Sequence, residues 1–149
     1  MASDSLFNEQ SQEELRIIRS FIEEFSDFPA GRLVKSESPD FILKINTRNS
    51  LGIEITRLKP PVSLHRKYRS REIELNKEIL EQTIAGKEEK LPIYRKQNMN
   101  RIWLIITCEG IQSRTDFNLR NKLQNWSFET GFNRVFLFDT VKPEIFEIA

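Results

Sequence analysis

The sequence predicts an α/β fold, a mixed central sheet flanked by helices, and three observations carry that prediction. A run of apolar residues at helical spacing opens the chain. A near-continuous apolar run at 102–108 reads as a strand buried on both faces, and 134–139 reads as another strand. The elements alternate in the order helix, three strands, helix, strand, helix, strand, the pattern of helices packed on a sheet. At 149 residues the chain is long enough for one domain, 1–149, with a single core.

Each element has its own signal. Over 11–25, Leu15, Ile18, Phe21, Ile22 and Phe25 recur at helical spacing. Ser11 and Glu14 read as a capping box at the start, and Pro29 and Gly31 stop the helix. Strands are expected at 32–35, 40–45 and 52–58. Between the last two, Asn46-Thr47-Arg48-Asn49-Ser50 is a run of turn-formers, which predicts a hairpin. Lys59-Pro60-Pro61 breaks the strand pattern. Ser63 then caps a second helix running to Ala85 or Gly86, with Leu64, Tyr68, Leu75 and Ile79 on its apolar side. Residues 87–100 are polar and basic, contain Pro92, and read as a loop. A third helix is expected at 115–126 and a last edge strand at 145–148.

Composition removes several function classes. Lys plus Arg is 23 and Asp plus Glu is 22, so the net charge is +1 and the chain is no polycation. With one cysteine, Cys108, there is no intrachain disulfide and no Cys-based zinc site. With one histidine, His65, chemistry that needs two is excluded. No phosphate-cradling glycine motif occurs among five glycines. The N-terminus lacks the basic flank and apolar stretch of a signal peptide. No apolar run approaches the roughly 18 residues of a membrane span. A cytoplasmic protein with no membrane partner is the expectation.

The informative stretch is Ser38-Pro39-Asp40 followed by Gly52-Ile53-Glu54-Ile55-Thr56. For a hairpin centred near Thr47, opposite positions have numbers that sum to about 94. Asp40 and Glu54 then face each other, with β-carbons roughly 4.5–5.5 Å apart. Two ionised carboxylates so close repel unless a proton or a cation lies between them. A hard divalent cation, Mg²⁺ or Mn²⁺, held by one or two carboxylates and several waters, satisfies the pair. Such an ion polarises a phosphoryl oxygen and acidifies water.

On Pro39-Asp40, Glu54-Ile-Thr56 and the order α-β-β-β-α-β, the chain resembles the PD-(D/E)xK nuclease superfamily, which includes restriction endonucleases and Holliday-junction resolvases. The resemblance covers roughly residues 11–108. It implies a restriction-endonuclease-like αβββαβ core and hydrolysis of nucleic acid phosphodiesters, DNA before RNA. It also implies metal ligation by Asp40, Glu54 and the Ile55 carbonyl. Thr56 stands where the family usually has a lysine, whose ammonium positions water or stabilises charge. The Thr56 hydroxyl can orient a water but carries no charge. A cation from the second helix, Lys67 or Arg71, is the expected replacement. Members also use a glutamate of the first helix. Glu14 lies in the sector of Ile18, Phe21 and Phe25 and is the candidate, although it is also the capping-box acid.

The most one-sided charge run holds Arg57, Lys59, Arg66, Lys67, Arg69 and Arg71. Arg95, Lys96 and Arg101 form a second cluster. Both suit phosphate contacts that bind backbone without reading sequence, and the first also suits a solvated helix face. His65 reads as a surface residue, Trp103 and Trp126 as packing residues and Cys108 as a buried one. The expected catalytic set is Asp40, Glu54, Thr56 and Lys67. Sequence choice would come from a homodimer, a partner or the 87–100 loop. Two other readings stay open: a catalytically inactive nucleic-acid-binding or protein-interaction domain on the same fold, and an unrelated α/β domain in which the acid pair is incidental.

Overall fold

The alternating apolar residues of the strands become the two faces of one six-stranded sheet. The computed structural model describes residues 2–58, 75–97, 99, 101–110 and 119–149. In chain order it contains α1 (Ala2–Glu24), β1 (Arg32–Lys35), β2 (Phe41–Lys44), β3 (Ser50–Arg57), α2 (Lys77–Glu88), α3 (Leu91–Lys96), β4 (Arg101–Cys108), α4 (Leu119–Asn125), β5 (Arg134–Asp139) and β6 (Glu144–Glu147). The sheet order is β1-β2-β3-β4-β5-β6. The first three strands form an antiparallel meander, β3, β4 and β5 run parallel, and β6 returns antiparallel. The α/β fold with a mixed sheet and flanking helices is thus present.

The hairpin register follows the turn chemistry. The Asn46 side chain accepts from the amides of Arg48 and Asn49 at 2.9 and 2.8 Å, which closes the turn. Phe41 then opposes Ile53 and Lys44 opposes Ser50, the register expected from the sequence. Leu51 and Ile53 point to the α1 face, where they join Ile18, Phe21, Trp103 and Phe136. Gly52, Glu54 and Thr56 alternate onto the other face. There Ile102, Leu104, Ile79, Leu80 and Tyr94 make a second core.

Three helical expectations need correction. First, α1 begins at Ala2, so Ser11 lies inside the helix and is no N-cap, and Glu14 instead pairs with Lys35. Second, the helix expected from Ser63 to Gly86 is not continuous. Residues 75 and 76 are non-helical, and α2 starts at Lys77, where the Asn76 side chain caps the Ile79 amide at 2.8 Å. It runs past Gly86 to Glu88. The Ser63 start, with Leu64 and Tyr68, falls outside the described residues. Third, the supposed loop at 87–100 contains α3. Pro92 sits in its first turn, where a missing N–H does no harm, and Leu91 and Tyr94 are buried. In the C-terminal third, α4 stops at Asn125, short of Trp126, and β6 spans Glu144–Glu147.

Candidate functional site

The middle of β3 is covered on both faces, so Glu54 is taken out of water and Asp40 is half-buried. Glu54 is 4% exposed. Asp40 immediately precedes β2, and by the hairpin register it stands opposite Glu54. The Ser38–Pro39 peptide bond before it is cis. Gly52 lets this turn close over β3, because a Cβ there would lie 3.1 Å from both Pro39 Cγ and Met99 Sδ.

Asp40 Oδ2 accepts from the Ile55 amide at 2.8 Å. Burial, then the Glu54 charge, push the Asp40 pKa up from 3.8 to about 6, while the Ile55 amide and the Lys35 charge pull the other way. Its carboxyl also lies within hydrogen-bonding reach of Glu54. The two acids are therefore brought together, as the sequence predicts. An N–H and C=O of one strand residue point to the same side, so the Ile55 carbonyl also faces the edge where Asp40 lies. Thr56 shares a face with Glu54 and is buried, and its carbonyl accepts from Thr107 Oγ1 at 3.4 Å.

Two residues not expected in the site complete it. The Tyr94 hydroxyl donates to Glu54 Oε2, with the Ser38 side chain also in reach. Burial and the Glu54 hydrogen bond raise the Tyr94 pKa above its usual value, so this phenol stays a donor. Lys87 Nζ, in the last turn of α2, lies 3.7 Å from Glu54 Oε1. A buried carboxylate needs such partners. The sequence signal for both was Leu91-Pro92-Ile-Tyr94, a proline-started turn of helix; once that helix is placed, the polar run before it belongs to the end of α2.

The remaining expected site residues lie elsewhere. Glu14 faces inward with a side chain only 15% exposed, but on the α1 side, 2.8 Å from Lys35 Nζ. Among the described residues no group of three or more His, Cys, Asp or Glu side chains is placed to hold a metal ion. Arg57 is largely exposed, lies 3.4 Å from Glu13 and lines a cleft of about 290 Å³ under α1, with Arg16, Ser20, Thr107 and Thr140. Arg95 donates to the Gly131 carbonyl at 3.2 Å, and Lys96 is exposed at the end of α3. Lys67, Arg66, Arg69, Arg71, Lys59 and His65 fall outside the described residues. Trp103 is buried in the α1-side core. Burial pushes the Cys108 thiol up to about 12, so it stays protonated. No described helix is long and apolar enough to cross a membrane.

Comparisons with protein-family models, curated proteins and solved structures give no match to this chain. The functional reading rests on the site alone.

Proposed function

We propose that this protein is a divalent-metal-dependent nuclease of the PD-(D/E)xK kind, on a restriction-endonuclease-like core, acting on nucleic acid phosphodiesters and on DNA in preference to RNA. The observation that supports it best is the Asp40–Glu54 pair: a half-buried acid beside a buried one, with burial and then the Glu54 charge raising the Asp40 pKa to about 6. That donor set fits a hard cation, Mg²⁺ or Mn²⁺, with two carboxylates, the Ile55 carbonyl and water completing the shell. When bound, the ion supplies Lewis-acid stabilisation of a phosphoryl oxygen.

The protein's own groups do the rest. The Ile55 amide fixes one oxygen of Asp40. Tyr94 fixes one oxygen of Glu54. Lys87 brings a positive charge to the other, the charge that Thr56 lacks, and takes the role assigned from sequence to Lys67 or Arg71. The Lys87 ammonium would orient a water or neutralise charge on phosphorus. Thr56 lines the same face beside it. Arg95 and Lys96 on α3 and Arg101 at the start of β4 are exposed and would offer phosphate contacts.

A second reading draws on the same contacts. Tyr94 and Lys87 already satisfy Glu54, so the site is also that of a catalytically inactive nucleic-acid-binding domain. Titration of Mn²⁺ and Mg²⁺ against the melting temperature, with cleavage of single- and double-stranded oligonucleotides, separates the two. A metal-dependent rise abolished by Asp40→Asn, with cleavage abolished by Lys87→Met, is the expected result. Metal binding without cleavage favours the second reading, and no metal response overturns the first.

A further inference from the structure

The described residues place a second ammonium near Asp40, on the opposite side of the sheet from Lys87. Lys35 ends the edge strand β1. Lysines on edge strands usually point to solvent and discourage pairing with other chains. This one does not. Its Nζ lies 2.8 Å from Glu14 Oε2, 2.8 Å from the Ser36 carbonyl and 3.2 Å from the Asp40 carbonyl. An ammonium has three donors, and all three are used. The Asp40 carbonyl accepts a further bond from the Ser36 amide at 2.9 Å. The stem passes over Phe41, with Nζ 5.0 Å from the ring centre.

These contacts tie together α1, β1 and the 36–40 turn. That turn carries Asp40, and the Asp40 side chain reaches across to the Ile55 amide. We infer that Lys35, held in place by Glu14, is a positioning residue that clamps the 36–40 turn so that the Asp40 carboxylate meets Ile55 and Glu54. Glu14 thereby acts on the acid pair through Lys35 and not as a third ligand. The inference deepens the nuclease reading by naming what places one of its two acids, but the placement itself is measurable without metal.

The geometry favours a clamp over a simple surface ion pair. A surface pair between long side chains holds no backbone in place. Here two of the three acceptors are main-chain carbonyls of the turn itself. Neutralising Glu14 leaves the ammonium without its counter-charge and loosens the tripod. Removing the ammonium releases both carbonyls.

The test reads the Ile55 amide, which reports directly on the Asp40 carboxylate. In ¹⁵N-labelled protein at pH 7.5, without metal, Lys35→Met should move the Ile55 amide resonance and speed its hydrogen exchange about tenfold, as expected for the loss of one charge-assisted hydrogen bond. The Ile53 amide, within the β2–β3 ladder, should stay as in the wild type. Lys35→Arg should restore the Ile55 signal in part, and Glu14→Gln should give an intermediate shift. An Ile55 amide unchanged in Lys35→Met, or Ile55 and Ile53 changing together by the same factor, overturns the positioning role. If Lys35→Met does not fold, an unchanged Ile55 amide in Glu14→Gln overturns it alone. Mn²⁺ is then added to the wild type. If it broadens no resonance near residues 40 and 54, the nuclease reading falls, while the Ile55 comparison still decides the clamp.

Discussion

On the α1 face of the sheet, Phe21 packs edge-on against Phe136 and Phe138 at 5.1 and 5.5 Å, and Trp103 and Phe25 extend the cluster. On the opposite face, at the same strand, Glu54 is almost as buried as Phe21 but is surrounded by Tyr94, Lys87 and Asp40. Both faces exclude water. One does so with groups that need nothing from their neighbours but contact. The other does so with groups that must each be answered by a named donor. A stable domain needs only the first kind. Among the described residues Asp139, at the end of β5, is also buried, but the amides of Gly110 and Val141 answer it; at the Asp40–Glu54 pair the second kind raises the energy of Asp40 when ionised. Such a local departure from apolar packing is the physical ground for placing function there.

That contrast predicts how substitutions divide. The largest effect belongs to the dry face. Phe21→Ala should lower unfolding free energy by about 3–5 kcal/mol in urea, through lost burial and a cavity among rings that cannot collapse. It should leave the Asp40 titration unmoved. A loss below about 1 kcal/mol would mean that the α1 core is not close-packed and would remove the comparison's first half.

Next comes Tyr94→Phe, which deletes only a hydroxyl but leaves Glu54 buried without its donor. A loss of about 2–3 kcal/mol at neutral pH is expected, against about 1 kcal/mol for an ordinary hydrogen bond. Combining it with Glu54→Gln should recover part of the loss in a double-mutant cycle. Strict additivity would show that the pair is not coupled.

Asp40 gives the pH dependence. Its folded pKa, about 6, lies above the unfolded value near 3.8. The folded state therefore holds the proton more tightly, and stability is highest below pH 4 for this group and falls as pH rises towards 6 and beyond. The ionised group costs about 2 kcal/mol at pH 7 after solvent screening. Asp40→Asn keeps an oxygen for the Ile55 amide and removes the charge. It should be more stable than wild type at pH 7 by about that amount and equal to it near pH 4. Asp40→Ala, which also removes the acceptor, should lose most of the gain. A flat difference between wild type and Asp40→Asn across pH 4–7 would contradict the raised pKa.

The smallest effect concerns the turn over β3. Gly52→Ala brings a methyl to 3.1 Å from Pro39 Cγ and Met99 Sδ. Met99 is flexible and Pro39 is not, so a loss of about 1 kcal/mol is expected. The larger change should be in the Ile55 amide shift, because Pro39 moves Asp40.

Much of the frame was legible. β4 was readable because the run Ile102-Trp-Leu-Ile-Ile-Thr-Cys108 suits a strand covered on both sides. The Asp40–Glu54 pairing was readable because a strand's period of two leaves no freedom once Asn46 sets the turn. The helix boundaries were not. Ser11 and Glu14 have the spacing of a capping box, yet α1 continues nine residues further back, so the motif is overridden by the longer helix. Gly86 looks like a stop, but nothing crowds it and α2 runs through it to Glu88.

The local order of residues therefore determined which chain segments become strands, which acids face each other across the hairpin, and that their charges must be answered. Periodicity and turn geometry are short-range properties, and a sequence displays them directly. Tertiary structure alone decided who answers those charges. Lys87 and Tyr94 lie 33 and 40 residues beyond Glu54, and Glu14 lies 21 before Lys35. Such partners are chosen by how helices settle on a sheet, and packing over that distance leaves no fixed spacing along the chain.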